Sequence, residues 1–389
     1  MSEKNKCATL VQTQYTNAFG SPELMVKSPG RINLIGEHTD YNLGFVLPAA
    51  IDKAIYIAIG KRTDQNICLH AADLDQSIEM SLDSLEPSPK QWPNYLLGIA
   101  DQLKKAGYPI SGFNAVVAGD VPLGAGLSSS AAVECATVFA LNELFVLGMS
   151  KLEMVRMAQK AENEFVGLKC GIMDMFASMF GKADAVIQLD CRSLDYHYMP
   201  FHQKGFQIVL LDTCVKHSLA STEYNTRRAE CEAGVAIIAQ QHPQVKSLRD
   251  ADLGMVESLL AGGDVKVYQR CKFIVAEIAR LQAGCQDLVN DNIDAFGLKM
   301  FETHIGLSKE YEVSCVELDF LADFAKDQNG VIGARMMGGG FGGCTINLVK
   351  DASVDTFITG AATAFKNRFQ QDLKSYIVAI GDGTSLINF

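Results

Sequence analysis

Short apolar, β-branched runs and longer stretches with helical spacing are interleaved along the whole chain. Residues 24–27, 54–59, 113–118 and 186–189 read as strands in the first half, and 206–211, 345–349 and 376–380 in the second. Helical spacing covers 92–106, 129–147, 151–165, 221–240, 265–283 and 313–326. The two kinds of element lack the regular alternation of a doubly wound sheet, so the pattern predicts an α+β protein. Nothing repeats at a fixed period, and no Pro-, Gly- or Ser-rich linker parts the halves. Length favours two domains over one, and the division is placed near residue 200, giving 1–200 and 201–389. The most apolar long segment, 131–149, is interrupted by Glu134, Asn142 and Glu143. It therefore reads as a buried helix and not as a membrane span.

Composition narrows the classes of function. Hydrophobic residues make up 48% of the 389 positions and charged residues 20%, ordinary values for a globular protein. A chain of this size is expected to expose roughly 15,000 Å² folded against about 61,000 Å² unfolded. The net charge of −11 argues against binding nucleic acid or an anionic membrane, both of which need a basic field. It leaves room for a polyphosphate ligand whose charge a metal ion balances. The first seven residues carry no apolar run behind them, so the chain reads as lacking a signal peptide and as cytoplasmic. The eleven cysteines are scattered without a C-x-x-C pair, which fits reduced, buried thiols better than a disulfide framework or zinc site.

Three glycine-rich segments concentrate the chemistry. Pro122-Leu123-Gly124-Ala125-Gly126-Leu127-Ser128-Ser129-Ser130-Ala131-Ala132 lies between a predicted strand and a predicted helix. Its glycines let backbone N–H groups approach an anion, and the helix behind them aims about +0.5 of a charge at the same point. A turn with a serine N-cap is the plainer alternative, but two glycines and three serines together favour phosphate. No G-x-x-x-x-G-K-[ST] is present, so the segment is not a Walker loop. In Pro29 to Asn42, Arg31, Glu37, His38 and Asp40 are set in an apolar frame of Ile32, Leu34 and Ile35. Carboxylates beside an imidazole supply donors and acceptors for the hydroxyls of a polyol; a surface helix start capped by Asn33 or Thr39 is the alternative. The third segment, 336–344, has five glycines in six positions, which implies close approach by a ligand or another stretch of chain. Asp174 stands between Met173 and Met175, a setting that calls for a cation partner and is as compatible with a structural ion pair as with catalysis. Tyr224, near the start of a predicted helix, reads equally as core or as a sugar-facing hydroxyl.

Taken together, these segments resemble the galactokinases of the GHMP small-molecule kinase superfamily. The resemblance runs from about Pro29 to Gly381 and includes Cys170–Asp174, His217–Arg228 and Tyr311–Asp319. It implies two α+β domains, the first like a ribosomal-protein domain and the second ferredoxin-like, with the active site between them. It also implies ATP-dependent phosphorylation of the anomeric hydroxyl of galactose, with Mg²⁺ and in a monomer. Asp174 matches the catalytic aspartate, as base or as orienting group, and Arg31 the arginine paired with it. Glu37, His38, Thr39, Asp40, Gly171 and Tyr224 match the sugar pocket. Gly124, Ala125, Gly126, Leu127, Ser128, Ser129 and Ser130 match the phosphate loop, Ser130 and Glu162 the magnesium ligands, and Trp92 and Tyr95 the neighbourhood of the adenine. Two positions depart from the pattern: Leu43 replaces a glycine, and Cys214 replaces an asparagine. Galactose sensors of the same family lack the Ser-Ala pair present here as Ser130-Ala131. That pair favours an enzyme, and phosphorylation of a related sugar is the alternative within that class.

Overall fold

The longest strand, Pro48–Lys61, is buried along nearly its whole length and exposes only Lys61, as a strand covered on both faces must. The computed structural model describes residues 3–215 and 220–387; residues 217–219, the start of the 217–228 motif, lie outside the described residues. Its strands are β1 (Leu24–Asn33), β2 (Phe45–Val46), β3 (Pro48–Lys61), β4 (Asn66–Ala71), β5 (Gln76–Ser81), β6 (Phe113–Gly119), β7 (Ala185–Asp190), β8 (Tyr196–Pro200), β9 (Phe206–Asp212), β10 (Val331–Met336), β11 (Cys344–Lys350), β12 (Lys374–Val378) and β13 (Ser385–Leu386). Its helices are α1 (Glu3–Phe19), α2 (Asn94–Lys105), α3 (Ser129–Phe145), α4 (Lys151–Ala161), α5 (Met173–Phe180), α6 (Ala220–Gln241), α7 (Leu253–Leu260), α8 (Val265–Val289), α9 (Ile293–Lys309), α10 (Val316–Lys326) and α11 (Val354–Phe369).

Six strands form the first sheet in the order β13-β1-β3-β6-β4-β5. Only β4 and β6 are parallel in it. α1 covers one face through Val11 and Tyr15 against Met25, Tyr56 and Val116. α3 and α5 cover the other. The second sheet, ordered β10-β11-β9-β12, is antiparallel throughout. Its chain order of strand, helices, two strands, helix, strand is the ferredoxin-like arrangement. β2, β7 and β8 make a third, small sheet. The first sheet is not built from the N-terminal half alone, since β13 pairs with β1 and Ile380 bridges Ile51. Accessible surface is 15,998 Å², close to the size-based expectation.

The α+β reading holds, with corrections in detail. α1, α5, α7, α9 and α11, and β2, β4, β5, β8, β10 and β13, were not predicted. The first strand runs on to Asn33, so Pro29-Gly30-Arg31 belongs to a sheet rather than to a loop. Neither Asn33 nor Thr39 caps a surface helix: Asn33 accepts from the backbone of Leu47, and Thr39 precedes one 3₁₀ turn without a side-chain cap. Among the described residues no helix is long and apolar enough to cross a membrane, and no cysteine is in a disulfide.

Both departures from the family pattern fall on left-handed backbone. Leu43 has φ +56° and Cys214 φ +57°, a region where glycine and asparagine are at ease and other side chains are strained. Leu43→Gly should release about 1–2 kcal/mol of strain against about 0.4–1 kcal/mol of added unfolded-chain entropy. Chemical denaturation should therefore show a net gain on the order of 0.5 kcal/mol, and a loss would contradict this account.

Candidate active site

Arg31, near the end of β1, anchors the site. Its Nε donates to Asp174 Oδ1 at 2.8 Å and its Nη2 to Oδ2 at 2.9 Å, a bidentate pair across 143 residues. Its Nη1 donates to the carbonyl of Gly126, and its backbone N–H to Leu127 O at 3.0 Å. One residue thus holds the glycine loop and the aspartate in register. Asp174 lies in the first turn of α5, with Met173 and Met175 buried on either side, and Arg31 is the cation partner that this setting calls for.

The loop after β6 enters α3 through Ser128, whose φ and ψ are +55° and +54°. Its hydroxyl makes no cap hydrogen bond and bonds instead to Asp174 Oδ2. The serine-cap alternative therefore fails here. Ser129 and Ser130 form the first turn of a 17-residue helix whose uncapped N–H groups suit an anion. α4 ends at Ala161 and continues as a π-helix, Glu162–Val166, a form that is rare outside functional sites. Glu162 is buried there, and burial pushes its carboxyl up to about 6. Hydrogen bonds from Cys170 and Ser130 and the charge of Arg31 pull the other way, while Asp174 adds to the rise. Cys170 Sγ lies 3.1 Å from Glu162 Oε2.

Arg31, Glu37, His38, Asp40, Gly171, Asp174 and Tyr224 line one cavity of about 360 Å³, closed on the far side by Gly338–Phe341. That volume suits a small ligand. Within it, Glu37 Oε1 accepts from Arg335 Nη2 at 2.9 Å and from Gly338 N at 2.8 Å, tying the cavity wall to β10. His38, with φ +62°, shares a hydrogen bond of 2.8 Å between Nδ1 and the Tyr41 hydroxyl, which in turn meets Tyr311 at 2.7 Å. Its Nε2 is buried and has no hydrogen-bond partner. Burial lowers the imidazole pKa to about 4, so the ring is neutral at neutral pH. Burial, and then the charge of Asp174, raise the Asp40 carboxyl to about 7.

Thr39, Trp92 and Tyr95 lie outside the lining of this cavity. Thr39 is fully buried and its hydroxyl faces the carbonyls of Gly36 and Phe45, so it shapes the loop and does not line the cavity. Trp92 donates Nε1 to Gln76 at 3.0 Å on β5. Tyr95 lies on α2 near Glu162 and Glu134; neither aromatic borders the cavity. Sequence reasoning assigned no role to Tyr41, Tyr311, Arg335, Arg227 or Glu134. Arg227 holds the Tyr311 and Glu312 carbonyls at 2.8 Å each. The signal was available, since Tyr41, Arg227 and Tyr311 fall inside the quoted motifs.

The third glycine segment is approached by chain and cavity together. Gly340, at φ +83°, would place a Cβ 2.1 Å from Val313 O.

Three family models match the chain: the galactokinase galactose-binding signature over residues 13–61, the GHMP kinases N-terminal domain over 94–182, and the GHMP kinases C-terminal domain over 281–367. The fold alone is shared with Methanococcus jannaschii mevalonate kinase, at a TM-score of 0.68 and 18% identity over 94% of this chain and all of that one. Fold and site thus define a GHMP small-molecule kinase. The galactokinase of Clostridium acetobutylicum is 40% identical over 98% of each chain. A crystal structure of Lactococcus lactis galactokinase complexed with galactose superposes with a TM-score of 0.92, at 35% identity over 96% of this chain and 98% of that one. The chain belongs to the galactokinase family.

Gly171 is where the cavity tolerates least. A Cβ there would stand 1.6 Å from Asp40 Oδ2, so Gly171→Ala must displace the carboxylate or the backbone. Overpacking of this kind costs about 1–3 kcal/mol, to be read by chemical denaturation; an unchanged midpoint would mean that Asp40 swings aside freely.

Proposed function

We propose that this chain transfers the γ-phosphoryl group of ATP to the anomeric hydroxyl of galactose, acting as a cytoplasmic monomer. The observation that carries the reading is the Arg31–Asp174–Ser128 cluster, which sets one carboxylate between the cavity and the uncapped N-terminus of α3. Galactose in the cavity places its hydroxyl at Asp174, which accepts the hydrogen bond and polarises the oxygen for attack on phosphorus. The new bond joins that oxygen to the γ-phosphorus, the hydroxyl proton passes to Asp174, the bond to the β-phosphate oxygen breaks, and ADP leaves. Phosphoryl transfer asks for positioning and charge stabilisation more than for covalent chemistry. Arg31 supplies positive charge beside the reacting oxygens, and the backbone N–H groups of Gly124–Ser130 meet the phosphates. The neutral His38, with an unpartnered Nε2, Glu37, Asp40 and Tyr224 distinguish the sugar hydroxyls.

Ser130 and Glu162 are the residues that would hold Mg²⁺. A hydroxyl and a nearby buried carboxylate are hard oxygen donors of the kind Mg²⁺ takes, one or two at a time, alongside phosphates. When bound, the ion neutralises the polyphosphate.

The reading is tested by following galactose-dependent ATP consumption and galactose binding separately in Asp174→Asn. Shape is kept and basicity lost, so turnover should fall about 10²–10⁴-fold while galactose still binds. Wild type that binds galactose without consuming ATP would instead mark a sensor.

Asp40 gives a pH signature. As pH falls below about 7, its carboxylate takes up a proton and ceases to be a pure acceptor. Galactose KM should therefore rise with acidity, up to about tenfold per pH unit for a single proton. Asp40→Asn should flatten that profile and raise KM throughout; a wild-type KM independent of pH between 5.5 and 8.5 would contradict the assignment.

A further inference from the structure

Glu134 is a carboxylate that the site described so far leaves unused. Its relative exposure is 0%, and neither carboxylate oxygen has a hydrogen-bond partner in the protein. Orphaned buried polar atoms are uncommon, and an ionised carboxylate without a partner is costly. The position is informative. Glu134 follows Ser130 by four residues on α3, so the two side chains share one helix face a single turn apart. The charges that act on it are both carboxylates, Glu162 first and then Asp174. Tyr95 lies within the reach of Glu162 and Glu134 alike.

Glu134 thus shares the helix face of Ser130 and feels the charges of Glu162 and Asp174, while Arg31 is committed to Asp174. Among the described residues no three acidic or other ligating side chains are gathered closely enough to hold an ion by themselves, so Glu134 is not placed as a direct ligand. Mg²⁺ sheds its hydration reluctantly and keeps several waters. Those waters need acceptors, and acceptors of that kind tune affinity by orienting what touches the ion.

We propose that Glu134 is a positioning residue for the bound metal ion, accepting hydrogen bonds from the waters that the ion retains while Ser130 and Glu162 ligate it directly. The inference rests on the magnesium site proposed above. Glu134 contacts neither sugar nor phosphate in this reading, so it should leave galactose affinity unchanged.

The probe is Mn²⁺ titrated into protein with ADP, read by the loss of the free-ion electron paramagnetic resonance signal. Galactose affinity is measured on the same samples by calorimetry. Glu134→Gln should weaken Mn²⁺ binding about 10–100-fold and leave galactose affinity at the wild-type value. Glu134→Asp, which keeps the carboxyl and withdraws it, should fall between the two and serves if the glutamine variant does not fold. Glu162→Gln should weaken Mn²⁺ binding at least as much. A merely structural carboxylate would shift the melting temperature and leave Mn²⁺ affinity alone. If Glu162→Gln loses Mn²⁺ while folded Glu134→Gln and Glu134→Asp bind it as wild type does, the inference is overturned and the magnesium site stands. If none of the variants loses it, both are overturned.

Discussion

The Arg31–Asp174 pair is the constraint on which the rest of the site depends. Arg31 is 4% exposed, and a buried guanidinium without a partner is strongly destabilising. Its guanidinium reaches two places, the carboxylate on α5 and the carbonyl of Gly126, and its own backbone N–H reaches a third, the carbonyl of Leu127. A bidentate pair fixes angle as well as distance, so Asp174 cannot rotate away from the mouth of the loop. Ser128 adds a third hydrogen bond to the same carboxylate, and it can do so because its left-handed backbone turns the side chain away from the helix it precedes. The loop conformation and the aspartate orientation are one constraint with two readouts.

A second tie crosses the chain. Arg335, with no exposed surface, spends its donors on the carbonyls of Asn33, Leu34 and Met336 and on Glu37. The loop that carries Glu37, His38 and Asp40 is thereby locked to the start of the third glycine segment, and Gly338 N completes the lock on the same Glu37 oxygen. Glu37 therefore has a structural role whatever it does for a ligand. The close packing of Gly126 against Met337 and Gly338 follows from it. Glycine in the second and third segments serves chain-on-chain approach as much as it serves an anion.

What was legible in the sequence is what local chemistry dictates. The strand-loop-helix around Gly124–Ser130, the apolar frame of Asp174 and the polar cluster at 31–40 all follow from residue types at close spacing, and the cavity gathers Arg31, Glu37, His38, Asp40, Met173 and Asp174 from the last two. Thr39 shows the limit: its type suits a sugar, yet its hydroxyl is directed to two carbonyls inside the loop, which spacing cannot reveal. The Trp92 partner Gln76 is brought close because β5 folds alongside, a tertiary neighbour that local spacing does not indicate. Helix α9 escaped notice because Gly297 and Gly306 lower its helical propensity. Both glycines are required by tertiary contact, with Ile332 O and the Phe273 ring where a Cβ would stand. The Tyr41–Tyr311 contact spans 270 residues, beyond any local pattern.

Electrostatics then accounts for how an acidic protein manages a polyanion. The −11 net charge makes long-range attraction of ATP unfavourable, so phosphates need short-range donors; on the proposed function the open N-terminus of α3, the loop N–H groups and Arg31 would supply them. The carboxylates of the site are not balanced one for one by protein cations. Burial and mutual repulsion push up both Asp40 and Glu162, which means that the empty site holds its negative charge at a cost. On the proposed function, a sugar hydroxyl donated to Asp40 and a cation brought to Glu162 would each relieve part of it. Ligand binding and the relief of that repulsion would then be the same event, and a preference for a metal–nucleotide complex over the bare nucleotide would follow from the arrangement of the carboxylates.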